Sequence, residues 1–240
     1  MQPTFLPWVG YFDLIDSVDK FVFYDDVQFS KQSWQSRNKI NTANGIIWLS
    51  VPVKKHKLSM NINEIEINSK SNWNIKLVKT IYYNYKNSVY FDEVYSFIEP
   101  VFTDLPSKLS DLSIDIIIKI AMKLDIDAEF YKSSELNTNE TNRESRLIEI
   151  CNILDADTYL STQGSSSYIE SNNQGGAFTD SPITLSYQNY SPKEYRQEFG
   201  GFVSYMSIID VLFNEGLKST LNIIRKGRGQ YLTSEMMRVK

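Results

Sequence analysis

The sequence predicts an α/β fold with a mainly parallel sheet and a helical insertion. Short apolar runs that are typical of buried strands alternate with amphipathic helical stripes near both ends of the chain. Helical stripes alone fill the stretch around 70–125. This alternation favours parallel pairing of the strands. We therefore expect a single α/β domain over residues 1–240, with a helical insertion or subdomain around 70–125.

One helix and three strands are predicted near the start of the chain. Apolar residues at near-helical spacing over 9–18 predict a short helix. Lys20–Tyr24 is a short apolar, aromatic run between two aspartates, which predicts a buried strand. Ile46–Val53 predicts a second strand, led by the turn Asn44-Gly45. Ile62–Ile67 alternates apolar and polar residues and therefore predicts a half-exposed strand.

Helices dominate beyond residue 70, and strands then return. Stripes of apolar residues over 77–85, 94–101 and 117–124 predict three helices. The polar segment Asn137–Asn142 predicts a surface loop. The later elements are predicted strands at Glu129–Lys132, Thr158–Ser161 and Ile183–Tyr187, and predicted helices at Leu147–Leu154 and Ser207–Asn214, with Gly216 as the cap of the second helix.

The charge and cysteine content of the chain argue against several classes of protein. A net charge of -4 argues against a general nucleic-acid binder, which normally carries a basic face. The single cysteine, Cys151, cannot form an intrachain disulfide. No stretch approaches the roughly 18–20 apolar residues that span a bilayer, and no signal-peptide pattern opens the sequence. We therefore expect a cytoplasmic protein with neither a nucleic-acid partner nor a membrane span.

Polar and charged side chains follow the predicted strand Lys20–Tyr24 at the point where it ends. In open α/β sheets, ligands bind beyond the carboxyl ends of the strands, so Asp25 and Asp26 are candidates for a site. Carboxylates suit sugar hydroxyls, an amine or Mg²⁺, whereas arginine and lysine suit phosphate oxygens. The loop therefore predicts a pocket for a phosphorylated polar metabolite, and a solvated, turn-rich loop is the alternative. The further candidates in this loop are Gln28, Arg37, Asn38 and Lys39.

Two other stretches contain candidate residues. His56 is the only histidine, and thus the only side chain that is ready to act as a general base near neutral pH. An exposed basic loop is the other interpretation of this stretch. Ser161 and Tyr168 bound a loop of small hydroxyl residues and glycine, where backbone N–H groups can approach an anion, although a simple turn explains the loop equally well. One histidine and one cysteine make no zinc site, and no motif names a cofactor.

Several segments of the chain resemble the WbqC-like protein family, beginning with QPTFLPWVGYFDLI, DKFVFYDDVQFSKQSWQSRNKI and NGIIWLSVPVK. The resemblance continues through SNWNIKLVKTIYYNYKNSVYFDEV and RLIEICNILDADTYLSTQGSSSYIE and ends near FVSYMSIIDVLFNEG, so it covers nearly the whole chain. It implies an enzyme of bacterial surface-polysaccharide synthesis, such as that of lipopolysaccharide O-antigen or capsule. The implied reaction is the transfer of an acyl or aminoacyl group to a nucleotide-linked amino sugar. The implied partners are that sugar and other enzymes of the same synthesis.

The opening turn supplies four further candidates for substrate binding. Gln2 would bind a ligand or cap the turn, and Trp8 would stack on a base or staple the following helix. Gly10 permits close backbone approach, and Tyr11 follows it. The family's opening usually follows a short apolar strand, whereas only Met1 precedes Gln2 here. We therefore expect the true start of the gene to lie several codons upstream.

A second, looser resemblance provides the alternative functions. A Pro-rich turn, a helix and a strand that ends in aspartate are similar to nucleotidyltransferases with a Rossmann-like core, although the turn 5–11 contains no histidine. In the acyl-transfer hypothesis, Asp25 or Asp26 removes a proton from the sugar ammonium. Arg37 and Lys39 hold the pyrophosphate. The alternatives are a nucleotidyltransferase-like enzyme with Mg²⁺ at the acidic pair, and a non-catalytic module that binds a sugar nucleotide or a partner transferase.

Overall fold

Helices and short strands alternate along the chain in the computed structural model, which describes residues 1–238. The strands are β1 (Lys20–Phe23), β2 (Arg37–Thr42), β3 (Gly45–Ser50), β4 (Glu129–Lys132), β5 (Thr158–Ser161) and β6 (Thr184–Tyr187). The α-helices are α1 (Val9–Ile15), α2 (Trp73–Tyr85), α3 (Phe91–Ile98), α4 (Leu109–Lys123), α5 (Arg143–Ile153), α6 (Ser166–Ile169), α7 (Ile208–Gly227) and α8 (Ser234–Arg238). The predicted α/β class is therefore confirmed in its coarse form, as mixed helices with short parallel sheets.

Parallel pairing joins the strands in two of the three small sheets of the described chain. β1 lies beside β4, with Lys20 opposite Glu129, and β5 lies beside β6, with Thr158 opposite Thr184. β2 and β3 form an antiparallel hairpin. One continuous Rossmann-like sheet is not confirmed, because each of these sheets has two strands. The open edges of β1 and β5 instead line a groove, and no strand of residues 1–238 fills it.

Three local predictions differ from the structure. The strand predicted at Ile46–Val53 is β3, which ends earlier, at Ser50. Residues 62–67 form a 3-10 turn at Ile62–Glu64 instead of a strand, because the Glu64 carboxylate accepts the backbone N–H of Asn61 at 2.7 Å and closes a capping box. The alternation of apolar and polar residues in this segment therefore reflects which side chains are buried, and it does not indicate a strand. Residues 37–42, which the sequence assigns to a polar loop, form β2 because they pair with β3 across the hairpin.

Helices from distant parts of the sequence share one apolar core. Tyr85 of α2 stacks on Phe213 of α7, with ring centroids 4.4 Å apart and planes 11° apart. Phe12 of α1 and Ile117 of α4 are fully buried in the same core. The region around 70–125 thus contains α2, α3 and α4, and its status as an insertion or subdomain stays a prediction.

Gly216 divides the long helix α7. Its φ of 74° lies in the left-handed region, and a Cβ there would stand 2.6 Å from the ring of Tyr90. The predicted helix Ser207–Asn214 is therefore the first half of α7, and the helix resumes after the glycine and ends at Gly227. Across residues 1–238, no helix combines the length and apolar character that a membrane crossing needs.

A buried network of charges fixes α1 to the C-terminal part of the chain. Arg228 donates to the carboxylates of Asp13, at 2.7 Å, and of Asp16. Gln188 donates to the other oxygen of Asp13, also at 2.7 Å. Burial raises the pKa of Asp13, although the contacts from Gln188 and Arg228 favour its charged form. This network holds α1 in place, and α1 forms part of the wall of the groove described below.

Candidate functional site

A groove of about 1020 Å³ runs between the open edges of β1 and β5. Both strands line it along their length, from Lys20 and Thr158 at their amino ends. Its walls are apolar and include Leu14 of α1 and Leu147 and Cys151 of α5. The charged residues Asp19, Lys20, Asp155 and Asp157 line its end at the start of the strands. A concave site of this size, with an apolar middle and polar ends, is typical of small-molecule binding sites. The groove is therefore the candidate functional site.

The mouth of the groove lies beyond the carboxyl ends of β1 and β5, where parallel sheets bind their ligands. It offers hydroxyl groups, side-chain amides and one guanidinium, in contrast to the apolar interior. The side chains and backbone that line the mouth belong to Gln2, Tyr24, Gln28, Arg143, Thr162, Gly164, Ser165 and Tyr168. These residues come from four separate segments of the sequence, so the folded chain creates the site.

Arg143 is the cation of the mouth. It begins α5, directly after Asn142, whose side chain caps the helix by accepting the backbone N–H groups of Glu144 and Ser145 at 3.0 and 3.2 Å. Its guanidinium lies 4.6 Å from the centre of the Tyr168 ring. Within the part of the chain that the structure describes, no carboxylate forms an ion pair with Arg143. The guanidinium is therefore available to an anion in the mouth.

The two tyrosines of the mouth stay protonated. Burial raises the pKa of Tyr24, and the positive charge of Arg146 only partly offsets that effect. Burial likewise raises the pKa of Tyr168, against the influence of Arg143. Both phenols therefore present neutral rings and O–H groups to a ligand at physiological pH, and neither is a candidate for a general base.

Asp26 joins the end of β1 to α5. Its carboxylate pairs with Arg146 at 2.5 Å and accepts the hydroxyl of Ser133 at 2.6 Å. Burial on its own would raise the pKa of Asp26, but Arg146 and Ser133 outweigh burial and hold that pKa below its usual range. The Arg146 guanidinium also lies 5.0 Å from the centre of the Tyr24 ring. The pair of Asp26 and Arg146 thus holds Tyr24 in position on one side of the mouth.

Asp25 joins the same end of β1 to the end of β4. Its side chain is 2% exposed and accepts the backbone N–H and the hydroxyl of Ser134, at 3.0 and 2.8 Å. The backbone N–H of Asp25 donates to the hydroxyl oxygen of Ser133 at 3.2 Å, and that hydroxyl donates its one hydrogen to Asp26. Neither Asp25 nor Asp26 is among the residues that line the groove. The acidic pair therefore faces the polar ends of β4 and α5.

Comparisons with known proteins assign the chain to a family. The sequence profile of the WbqC-like protein family matches residues 2–221. The chain belongs to the WbqC-like protein family. A relative in Mycobacterium tuberculosis (strain ATCC 25618 / H37Rv), named only as uncharacterized protein Rv1507c, is 31% identical over 222 residues, which cover 91% of this chain and 94% of that protein. No solved structure matches the chain.

The WbqC-like opening turn is interlocked with β2. The Asn38 amide donates to the backbone carbonyls of Phe5 and Leu6, at 3.3 and 2.7 Å, and Leu6 has a left-handed φ of 45°. Arg37 lies 4.3 Å from the centre of the Trp48 ring, outside the lining of the groove. The predicted group of Arg37, Asn38 and Lys39 therefore does not lie at the mouth. These residues belong to β2, which runs along the opening turn and away from the mouth.

The four candidates of the opening turn also lie in different places, and not all of them line the groove. Gln2 lines the mouth, and its carbonyl accepts the buried hydroxyl of Tyr11 at 3.0 Å. Trp8 faces away from the groove and packs edge-on against Tyr190, with ring centroids 5.4 Å apart. Gly10 lets the Trp8 ring lie against the helix, since a Cβ would stand 2.3 Å from that ring.

The remaining candidates lie at different distances from the mouth. Gln28 lines the mouth and donates its amide to the carbonyl of Leu58 at 2.7 Å. Ser161 is buried at the end of β5, where its hydroxyl bonds to that of Ser165 at 2.5 Å. His56 packs edge-on against Phe29, with ring centroids 5.1 Å apart, and is absent from the groove lining.

Five residues of the WbqC-like mouth were not among the predicted candidates, and they are Tyr24, Arg143, Thr162, Gly164 and Ser165. Asn142 is a usable signal, because an asparagine before an apolar stripe marks a helix start and places Arg143 in the first turn. No sequence pattern indicates that this turn meets the ends of β1 and β5. That meeting depends on contacts between segments more than 100 residues apart, such as that of Arg146 with Asp26.

Proposed function

We propose that this WbqC-like protein binds a nucleotide-linked amino sugar at the mouth of the groove and transfers an acyl or aminoacyl group to its amine. The transfer would form an amide bond between the sugar nitrogen and the acyl carbon, with release of the donor's leaving group and a proton. The place in bacterial surface-polysaccharide synthesis is the one that the family resemblance implies. The observation that carries the proposal is Arg143, a cation that forms no ion pair with a carboxylate of residues 1–238 and lies beyond the carboxyl ends of β1 and β5.

The chemistry of the mouth supports a phosphorylated sugar as ligand. A guanidinium can bind phosphate oxygens bidentately, and Arg143 is held at the edge of the mouth by the capped start of α5 and the ring of Tyr168. The hydroxyls of Thr162 and Ser165 and the amides of Gln2 suit the hydroxyl groups of a sugar. We therefore assign the pyrophosphate to Arg143, and we give Asp25 and Asp26 a positioning role through β4 and α5.

A matched pair of variants tests the proposal. Arg143 and Arg37 each lie over an aromatic ring, at 4.6 and 4.3 Å, but only Arg143 lines the groove. Calorimetric titration with UDP-glucose, UDP and UMP, each with and without Mg²⁺, should give tighter binding for ligands with a pyrophosphate. We expect Arg143→Ala to weaken UDP binding by about 10- to 100-fold, the worth of charge-assisted hydrogen bonds. Arg37→Ala should change the affinity for UDP by no more than about twofold.

Two results would contradict the proposal. An equal loss from Arg37→Ala and Arg143→Ala would show that both act through general stability, and the absence of any nucleotide binding would remove the ligand class. A measurement of turnover distinguishes the proposed transferase from a second candidate, which is a non-catalytic module that binds a sugar nucleotide. That candidate is favoured by one observation, which is that the described residues of the mouth include neither a carboxylate nor an imidazole. Binding without formation of an amide product, across acyl and aminoacyl donors, would support the module.

A further inference from the structure

One face of the β2–β3 hairpin lies outside the groove and points to solvent. Side chains alternate across a strand, so Arg37 and Lys39 of β2 share this face with the residues paired to them on β3. Trp48 stands opposite Lys39, and Ile46 lies two residues before it on the same face. Trp34 joins them from the segment before β2, with its ring centroid 5.3 Å from that of Trp48. These five residues are called the hairpin face.

The apolar side chains of the hairpin face are exposed to water. Trp34, Ile46 and Trp48 are 48%, 47% and 46% exposed, respectively. Ile40 and Leu49, which point to the other side of the same hairpin, are buried in the core. Packing of the core therefore explains one face of the hairpin and leaves the other unexplained. Neighbouring exposed apolar side chains with a polar rim mark a surface that binds a partner.

Positive charge surrounds these apolar side chains. Residues 27–63 contain six lysines and arginines and neither aspartate nor glutamate, in a chain whose net charge is -4. Lys31, Arg37 and Lys39 form no ion pair with a carboxylate of residues 1–238. The Arg37 guanidinium lies 4.3 Å from the centre of the Trp48 ring, and its buried Nε has no hydrogen-bond partner among the described residues. The partner that complements this surface is therefore anionic.

An anionic lipid surface fits this combination better than other anionic partners. Indole rings favour the headgroup region of a bilayer, and lysine and arginine favour the anionic lipids there. Ile46 gains from contact with acyl chains, whereas a nucleic acid offers it bases that stack on rings, and Arg37 already covers one face of the Trp48 ring. A second copy of the chain would set like charges face to face. The turn at 43–46 is exposed at every residue, so the hairpin can approach a flat surface.

We propose that the hairpin face docks the protein on an anionic lipid surface. The two indoles and the side chain of Ile46 enter the headgroup region, and the cations around them contact lipid phosphates. The contact is peripheral and needs no helix that crosses the membrane. Because no residue of β2 or β3 lines the groove, this docking is independent of the ligand proposed for the mouth.

Flotation with phospholipid vesicles tests the charged part of the proposal. Vesicles with about 30% phosphatidylglycerol should bind the protein at least about tenfold more tightly than phosphatidylcholine vesicles, because each cation near an anionic surface contributes a factor of about five. Salt at about 0.5 M should remove most of this difference. The double variant Lys31→Glu, Lys39→Glu should weaken binding by about tenfold or more. The control Lys123→Glu, Lys218→Glu makes the same change of net charge at exposed lysines of α4 and α7, and should weaken it by about threefold or less.

A second set of variants tests the apolar part. Trp48→Ser and Ile46→Ser should each weaken binding to the anionic vesicles by about fivefold or more. Met122→Ser, which removes a side chain of α4 that is 67% exposed, should leave binding unchanged. Vesicles with brominated acyl chains should quench the tryptophan fluorescence of the wild type, and Trp48→Phe should lose part of that quenching while it keeps most of the binding. Thermal unfolding checks that each variant is folded.

Equal binding to the two kinds of vesicle would overturn the proposal, as would equal losses from the hairpin variants and their controls. Vesicle binding without quenching of tryptophan would contradict the entry of the indoles. Binding of single-stranded RNA, or of a second copy of the chain, through this face without binding to vesicles would also overturn it. The vesicle measurements use no nucleotide sugar, so their failure would leave the proposed ligand of the mouth untouched.

Discussion

The pair of Asp26 and Arg146 gives the sharpest test of how the end of β1 is held. The two side chains are 21% and 16% exposed, so the pair is mostly shielded from water, and Asp26 also accepts the hydroxyl of Ser133. Replacement of Asp26 by Asn keeps the shape and removes the charge. Hydrogen bonds to charged groups contribute about 1.5–3 kcal/mol, and asparagine can still accept one. We therefore expect Asp26→Asn to fold and to lower the free energy of unfolding by about 2 kcal/mol, or Tm by roughly 4–8 °C.

Asp115→Asn is the matched control. Asp115 pairs with Lys119 on α4, and their side chains are 47% and 50% exposed. Exposed pairs of this spacing contribute about 0.3–0.5 kcal/mol, because water screens the charges. Urea denaturation of both variants should therefore separate them clearly. A double-mutant cycle that adds Arg146→Met should give a coupling of about 1 kcal/mol or more, since Arg146 has lost its partner already in the single variant.

The pH dependence provides the refuting result. Because the pKa of Asp26 is held below its usual range, the stabilisation from its charge is fully present above the unfolded pKa near 3.8. It is lost as the pH falls through the lower pKa of the folded state. The difference between wild type and Asp26→Asn should therefore be constant above pH 5 and shrink at lower pH. A difference that persists unchanged at pH 2, or one no larger than that of Asp115→Asn, would refute this account.

Two further variants and one reactivity measurement test other parts of the structure. Asn38→Ala should lower the free energy of unfolding by about 1–2 kcal/mol in urea, because the carbonyls of Phe5 and Leu6 lose the amide donor while Leu6 still accepts the hydroxyl of Ser207; a change under about 0.5 kcal/mol would argue against that role. Gly10→Ala should cost about 1–3 kcal/mol and shift tryptophan fluorescence, because the new Cβ displaces the Trp8 ring; unchanged fluorescence would contradict the contact. Cys151 should react slowly with thiol reagents at pH 8, because burial raises its pKa to about 11, and a rate equal to that of the unfolded chain would count against this burial.

Elements with a strong local pattern could be predicted from the sequence. The strands Glu129–Lys132 and Thr158–Ser161 have the predicted bounds, because each is a short run with aromatic residues that is bounded by polar turns. β2 could not be predicted, because its sequence RNKINT is polar, although its pairing partner β3 follows it directly in a hairpin. Its Asn38 and Asn41 are buried as hydrogen-bond donors to other segments. Buried polar residues of this kind have the composition of a loop, and only the fold reveals their partners.

The candidate site was harder to predict than the fold, for the same reason. The rule that ligands bind beyond strand ends leads to the region after Tyr24, where the mouth of the groove lies. It cannot tell which side chains of that region turn toward the groove. Asp25 and Asp26 turn inward because Ser133, Ser134 and Arg146 satisfy them, and those partners lie more than 100 residues away. Arg143 differs from them, because no carboxylate of the described residues forms an ion pair with it.

The residues that mark the WbqC-like family connect the opening turn to the mouth through Gln2. Asn38 holds the turn by its bond to the carbonyl of Leu6, and Gln35 donates its amide to the Gln2 side chain at 2.9 Å. Tyr11 holds the Gln2 backbone from the other side. One wall of the mouth therefore depends on residues that never reach a ligand there. It follows that Asn38→Ala should weaken ligand binding only as far as it loosens Gln2, and should weaken UDP and UMP equally. Arg143→Ala should instead act on the pyrophosphate itself and reduce the preference for UDP over UMP.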